Sequence, residues 1–149
     1  MTIKEAKGKA VKGSDDVAKI FYSILQAEEE LDKGKEHFWT MILNGQNVIT
    51  EIHLIGLGIL DGTIVHPREV FRPAVMENAL NIIISHNHPS GNVKPSKEDI
   101  VMTTRLKKAG EILGIEVLDH IIIGNENEKG YYSFRERGLM GGEKWRNKI

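Results

Sequence analysis

The chain has 149 residues, of which 40% are hydrophobic and 28% are charged, and its formal net charge is −1. This length and composition predict one globular domain with its own core and exclude a disordered or collagen-like chain. The near-neutral charge does not support a nucleic-acid-coating protein, and the absence of cysteine excludes disulfides, thiol catalysis and the His/Cys/Cys zinc site of nucleobase deaminases.

The apolar runs are short. Stretches such as Ile82–Ile84 are far below the roughly 20 residues that span a bilayer, so we expect no membrane segment and no membrane partner. The lysine-rich start is followed by Ser14, Asp15 and Asp16 in place of the apolar core of a signal peptide. A cytoplasmic location is therefore the expectation.

The first third of the chain predicts an arm, a helix and a hairpin. Residues 1–13 carry several lysines and little that could pack, which predicts a mobile N-terminal arm. Ser14 is expected to cap an amphipathic helix that runs to about Leu31. A period of two over Glu36–Leu43 predicts a buried strand that begins at Glu36, and a polar turn then leads to a returning strand over Val48–Leu57.

The rest of the chain alternates helices and strands. The predicted elements are a helix entered at His66–Glu69, a central strand Asn81–His86, a helix from Ser96 to about Gly114, a core strand Val117–Ile123 and a short strand Tyr131–Phe134. The pattern predicts an α/β (α+β) fold, a single domain over residues 14–140 with helices packed on a mixed sheet, and a polar C-terminal tail over residues 141–149.

Two histidines and an aspartate form the candidate metal site. In an extended segment His86 and His88 point to the same face, and the Pro- and Gly-containing loop before Asp99 can turn its carboxylate back towards them. Two imidazoles and one carboxylate suit a tetrahedral zinc ion with one position left for water, whose pKa then falls to about 7. The remaining histidines lack such a pattern and are interpreted as structural or solvent-facing: His37, His53, His66 and His120.

Ser96 has two interpretations. It precedes Asp99 by three residues, so its hydroxyl can cap the helix or donate a hydrogen bond to a developing oxyanion, and the sequence leaves both open. A further carboxylate is needed as general acid and base, but position alone does not select Glu36 from the other glutamates.

These residues also spell a family pattern. The string His86-Asn87-His88-Pro89, followed by Ser96 and Asp99 and preceded by Glu36 on a strand, resembles the JAMM (MPN+) metalloprotease motif. The wider stretch, with Val65–Val70 and Leu118–His120, resembles the RadC-type branch of that family. The resemblance implies a JAB/MPN fold of cytidine-deaminase-like architecture, one zinc ion per chain on His86, His88 and Asp99, Glu36 as general acid/base and Ser96 at the oxyanion.

The leading hypothesis is a zinc-dependent metallopeptidase that cleaves a peptide or isopeptide bond in a peptide or protein substrate. The alternative is a nucleic-acid-associated DNA-repair or mobile-element accessory protein of RadC type. Its phosphate contacts would come from Lys94, Lys97, Arg105, Lys107 and Lys108. Net charge does not favour nucleic acid, and the short segment before Glu36 has no room for the helix-hairpin-helix region of many RadC-type proteins. A non-catalytic scaffold ranks last because all ligands are present, and the sequence leaves open a homo-oligomer.

Overall fold

The computed structural model describes residues 1–60, 65–125 and 130–141. The elements in chain order are α1 (Ile3–Ala6), α2 (Ser14–Gln26), α3 (Glu30–Lys33), β1 (His37–Leu43), β2 (Ile49–Leu57), α4 (Pro67–Met76), β3 (Asn81–His88), α5 (Lys97–Leu113), β4 (Glu116–Gly124) and β5 (Tyr131–Ser133). Within these ranges, no helix is both long and apolar enough to cross a bilayer.

The strands form one mixed five-stranded sheet in the order β2-β1-β3-β4-β5. β1 is antiparallel to β2 and β3, and β5 is antiparallel to β4, whereas β3 and β4 are parallel and are joined through α5. A parallel pair needs such a crossover, because the chain must return to the end of the sheet at which β3 begins before β4 can run in the same direction. The predicted α/β class with helices packed on a mixed sheet is confirmed.

Both faces of the sheet are covered, since alternate residues of β1 enter different core clusters. Trp39 and Met41 pack with α2 on one face, while Phe38 and Ile42 pack with α4 and α5 on the other. All seven residues of β1 are buried, as expected for a strand enclosed by two layers of helices. The predicted buried strand therefore lies at the centre of the molecule.

Helix α5 has well-defined ends. Ser96 is its N-cap and forms a capping box with Asp99, and Gly114 is its C-cap in the left-handed conformation with φ 72°. Glycine adopts this conformation without the steric cost that a Cβ brings. The first turn of α5, and with it the carboxylate of Asp99, is thus fixed next to the end of β3.

The N-terminal segment differs from the expectation of a mobile arm. Ala6 and Val11 are buried, and residues 8 and 9 form backbone hydrogen bonds with Ile49 at the start of β2, at 2.8 Å each. The lysines of this segment suggested solvation, but its apolar residues Ala6 and Val11 belong to the core cluster that includes residues of α2 and β2. The segment therefore covers one end of an edge strand.

Smaller differences concern the ends of elements. Helix α2 ends at Gln26, short of the predicted Leu31. Its N-cap is Gly13, and the hydroxyl of Ser14, which was expected to cap the helix, donates instead to the Glu136 carboxylate. Strand β3 continues two residues beyond the predicted end and includes both histidines of the candidate site. The predicted polar tail lies outside the described residues, except for residue 141.

Candidate metal centre

The candidate site lies where the end of β3 meets the start of α5. His86 and His88 are two residues apart on β3, so their side chains leave the same face of the strand. Asp99 is in the first turn of α5, held there by the capping box with Ser96. Among the described residues, these three form the group of histidine and acidic side chains whose ligand atoms could hold a metal ion.

One nitrogen of each histidine and the two carboxylate oxygens of Asp99 stand at distances suited to a small metal ion. His86 Nε2 lies 3.0 Å from His88 Nε2 and 3.3 Å from Asp99 Oδ1, and His88 Nε2 lies 3.1 Å from Asp99 Oδ2. Ligands bonded to a tetrahedral zinc ion at about 2.0–2.1 Å lie about 3.3 Å from one another. The side chains are therefore close to the arrangement that such an ion requires.

The electrostatics of the group favour an ionised carboxylate. Burial alone would raise the pKa of Asp99, but the neighbouring imidazoles of His86 and His88 outweigh it and hold this pKa well below its usual range. The hydrogen bond with Asp99 likewise raises the pKa of His88. The carboxylate is thus ready to bind a cation, and nitrogen and oxygen donors of this kind suit zinc and other divalent transition metals.

The other ring nitrogens of the two histidines also have partners. His88 Nδ1 donates to the Asn92 carbonyl at 2.8 Å, and His86 Nδ1 lies 2.7 Å from His120 Nε2. His120 is completely buried, which lowers its pKa well below its ordinary value, and its Nδ1 lies 2.6 Å from Thr103 Oγ1. Such outer contacts orient the rings that bind a metal.

The sequence did not assign His120 or Thr103 to the candidate site. His120 is structural in the sense expected, yet its contact with His86 joins it to the candidate site. The available signal was the polar pair Asp119-His120 inside an otherwise apolar strand. In the register of β4 against β3, His120 faces Ile84, two residues before His86, and this pairing exists only in the folded sheet.

Asn87, between the two histidines, ties β3 to the segment that carries Glu36. Its side-chain oxygen accepts from the His37 backbone N–H at 2.5 Å, and its amide donates to the Lys35 carbonyl at 3.0 Å. A second amide contact reaches Asn125 Oδ1 at 2.9 Å. The backbone on both sides of Glu36 is therefore fixed to the strand that carries the histidines.

Glu36 and Ser96 border the same cleft as the metal group. The structure brings both next to the three candidate ligands, in a cleft of about 700 Å³. Ser96 Oγ accepts from the Asp99 backbone N–H at 3.1 Å, so the capping interpretation is the one observed. A hydroxyl that accepts one hydrogen bond still has its own proton to donate, so the cap leaves the oxyanion role open.

The wall of the cleft is largely apolar. Its apolar lining residues are Leu60, Val65, Val101, Met102 and Leu106. Of the five basic residues considered for phosphate contacts, Lys97 and Arg105 line this cleft, whereas Lys107 borders a different pocket. The basic side chains thus do not form one surface around the candidate site.

Comparison with known proteins agrees with this geometry. A family model described as a RadC-like JAB domain matches residues 11–139. The chain therefore belongs to the RadC-like JAB domain family, as the sequence resemblance implied.

Curated relatives at substantial identity carry uncharacterised names. The chain is 55% identical over 109 residues to a UPF0758 protein of Trichlorobacter lovleyi, covering 73% of this chain and 46% of that protein. It is 47% identical over 106 residues to a UPF0758 protein of Rubrobacter xylanophilus, covering 71% and 45%. A UPF0758 protein of Staphylococcus haemolyticus is 44% identical over 130 residues, covering 84% and 55%. The chain spans about half the length of these relatives, and their names state no activity.

Proposed function

We propose that this domain is a zinc-dependent peptidase that hydrolyses a peptide or isopeptide bond. The observation that carries the proposal is the convergence of two imidazoles and a carboxylate in a cleft that Glu36 also lines. The two histidine Nε2 atoms lie 3.0 Å apart, and each lies within 3.3 Å of one carboxylate oxygen of Asp99. Two histidines and one carboxylate leave a fourth position of a tetrahedral ion open, which is typical of catalytic zinc sites. Membership of a JAB family supports the same reaction class.

The metal ion, Glu36 and Ser96 have different roles in the proposed reaction. A bound zinc ion would polarise the scissile carbonyl and lower the pKa of water to about 7. Glu36 takes a proton from the attacking water on its carboxylate and passes it to the leaving amine, as general base and then general acid. The Ser96 hydroxyl, held at the N-cap of α5, donates a hydrogen bond to the oxygen that gains negative charge at the carbonyl.

The shape and lining of the cleft support a peptide or protein substrate. An open groove with a mostly apolar wall suits an extended peptide segment with an apolar side chain next to the scissile bond. Lys97, Glu98 and Arg105 add charged groups along α5 at its border, which can select polar neighbours in the substrate. A peptide or protein substrate therefore fits this cleft.

The test begins with zinc stoichiometry on the purified protein and on two variants. His88→Ala removes a proposed ligand, and His53→Ala removes a histidine on β2 that pairs with Glu51 outside the cleft. We expect about one zinc ion per chain in the parent and in His53→Ala, and loss of zinc in His88→Ala.

Hydrolysis is then measured on a library of fluorogenic peptide and isopeptide substrates, with and without a chelator. Chelator-sensitive cleavage that His88→Ala abolishes would support the peptidase. A folded parent that neither retains nor rebinds zinc would refute the proposal.

A further inference from the structure

Three short contacts join two of the proposed ligands through residues outside the cleft. His86 Nδ1 lies 2.7 Å from His120 Nε2, His120 Nδ1 lies 2.6 Å from Thr103 Oγ1, and Thr103 Oγ1 lies 2.7 Å from the Asp99 carbonyl oxygen. The path starts at one ligand on β3, passes through β4 and returns to another ligand on α5. Each contact is short enough to require a proton between its two atoms.

Only one distribution of protons satisfies all three contacts with neutral imidazoles. The carbonyl of Asp99 has no proton, so the hydroxyl of Thr103 must donate to it. Having used its proton, Thr103 Oγ1 must accept from Nδ1–H of His120, which leaves His120 Nε2 as an acceptor. That acceptor must receive Nδ1–H of His86, and the Nε2 lone pair of His86 is then free.

We infer that His120 and Thr103 are positioning residues that hold His86 in the Nδ1-protonated tautomer and thereby present its Nε2 to the metal. The inference rests on the metal site of the proposed function. In the opposite arrangement, the Thr103 hydroxyl would donate to His120 Nδ1, and Nε2–H of His120 would donate to His86 Nδ1. The single proton of His86 would then lie on Nε2. That nitrogen would have no lone pair for a metal ion.

The surroundings favour a fixed arrangement. His120 is fully buried, and its ring stacks on Phe134 at 4.7 Å between centroids with an interplanar angle of 7°. The Phe38 ring stacks on His86 with 6.1 Å between centroids. It is packed against His120 in a T-shaped arrangement, also with 6.1 Å between centroids. Thr103 is 2% exposed, so water does not compete for its hydroxyl. The orientation of His86 therefore depends on these side chains and not on solvent.

The first test reads the tautomers directly. Long-range ¹H–¹⁵N correlation spectra of the zinc-loaded protein distinguish a protonated from a bare nitrogen in each histidine ring. We expect His120 to carry its proton on Nδ1 and His86 to carry its proton on Nδ1 with Nε2 bound to metal. A proton on Nε2 of His120 would overturn the inference, whatever the protein hydrolyses.

The second test measures zinc affinity by competition with a chelator, using substitutions on one helix. Thr103→Val keeps the shape of the side chain but removes the hydroxyl, and Thr103→Ser restores it. Thr104→Val is the matched control, because the Thr104 hydroxyl also bonds the carbonyl four residues before it, at 3.0 Å to Ile100, but faces solvent. Loss of such an outer contact weakens metal binding about 10- to 100-fold.

We therefore expect about 10-fold weaker zinc binding in Thr103→Val, with Thr103→Ser and Thr104→Val close to the parent. Equal affinities in Thr103→Val and Thr104→Val would overturn the positioning role. If Thr103→Val does not fold, the tautomer of His120 in the parent decides. A parent that binds no zinc refutes the proposed function, whereas a zinc-binding parent with the wrong His120 tautomer refutes this inference alone.

Discussion

Replacement of Asn87 by alanine should separate metal binding from catalysis. Asn87 is fully buried, and its amide bonds the backbone on both sides of Glu36, at 2.5 Å to the His37 N–H and 3.0 Å to the Lys35 carbonyl. The substitution removes both contacts, together with the amide contact to Asn125 Oδ1, but leaves the backbone of β3, and hence His86 and His88, in the sheet.

The cost in stability follows from the groups left without partners. The buried His37 N–H loses its acceptor, which costs about 1–3 kcal/mol. The Lys35 carbonyl still accepts a hydrogen bond from His37 Nδ1 at 2.9 Å, so the loss of its hydrogen bond with Asn87 costs less. We expect Asn87→Ala to lower the free energy of unfolding by about 2–4 kcal/mol, less than the 5–15 kcal/mol typical of a whole domain.

The effect on activity should be larger than the effect on zinc. A displacement of a catalytic group by about 1 Å can cost about 100-fold in rate, so we expect peptide hydrolysis to fall by about that factor. Zinc stoichiometry should stay at the parental value. The assays are urea unfolding followed by tryptophan fluorescence, elemental analysis for zinc and initial rates on the best peptide found.

Asn81→Ala is the control, because Asn81 lies on the same strand and its side chain forms none of the hydrogen bonds seen in the described part of the chain. Parental stability in Asn87→Ala would refute the argument from buried hydrogen bonds. Parental hydrolysis in a destabilised variant would show that Glu36 does not depend on this amide.

Three further predictions concern other parts of the molecule. Glu36→Gln should retain zinc but lose about 100- to 10,000-fold in hydrolysis, and an active variant would exclude Glu36 as the acid and base. Burial raises the pKa of Asp119 to about 7 in the folded protein, against about 4 when unfolded, so its contribution to stability is full below about pH 4 and is lost as pH rises through about 7. Urea titrations give the free energy of unfolding of the parent and of Asp119→Asn at each pH. The parent value minus the Asp119→Asn value should fall between about pH 4 and about 7. A difference independent of pH would contradict the raised pKa of Asp119. Gly110→Ala should destabilise by about 1–3 kcal/mol, because its Cβ would lie 2.3 Å from the Ile115 carbonyl, while Gly45→Ala meets nothing within 4 Å and should be close to neutral in the same titrations.

Much of the secondary structure is predictable because it depends on the periodicity of residues that are close in sequence. The period of two over β1, the apolar runs of β3 and β4 and the caps of α5 depend on residues a few positions apart, and each of these elements is present. The spacing of His86 and His88 suggested one face of a strand, and the structure places both on β3 with Asp99 beside them.

The contacts around the site depend on residues that are distant in sequence. His86 meets His120 across 34 positions, and Asn87 meets the His37 backbone across 50. The register of β3 against β1 and β4 creates both contacts, and sequence periodicity does not determine that register between strands. The N-terminal segment shows the same limit, because its lysines predict solvation while the burial of Ala6 and Val11 depends on the surface that α2 and β2 form together. Local pattern thus predicts which residues could bind a metal, whereas only tertiary packing decides which neighbours orient them.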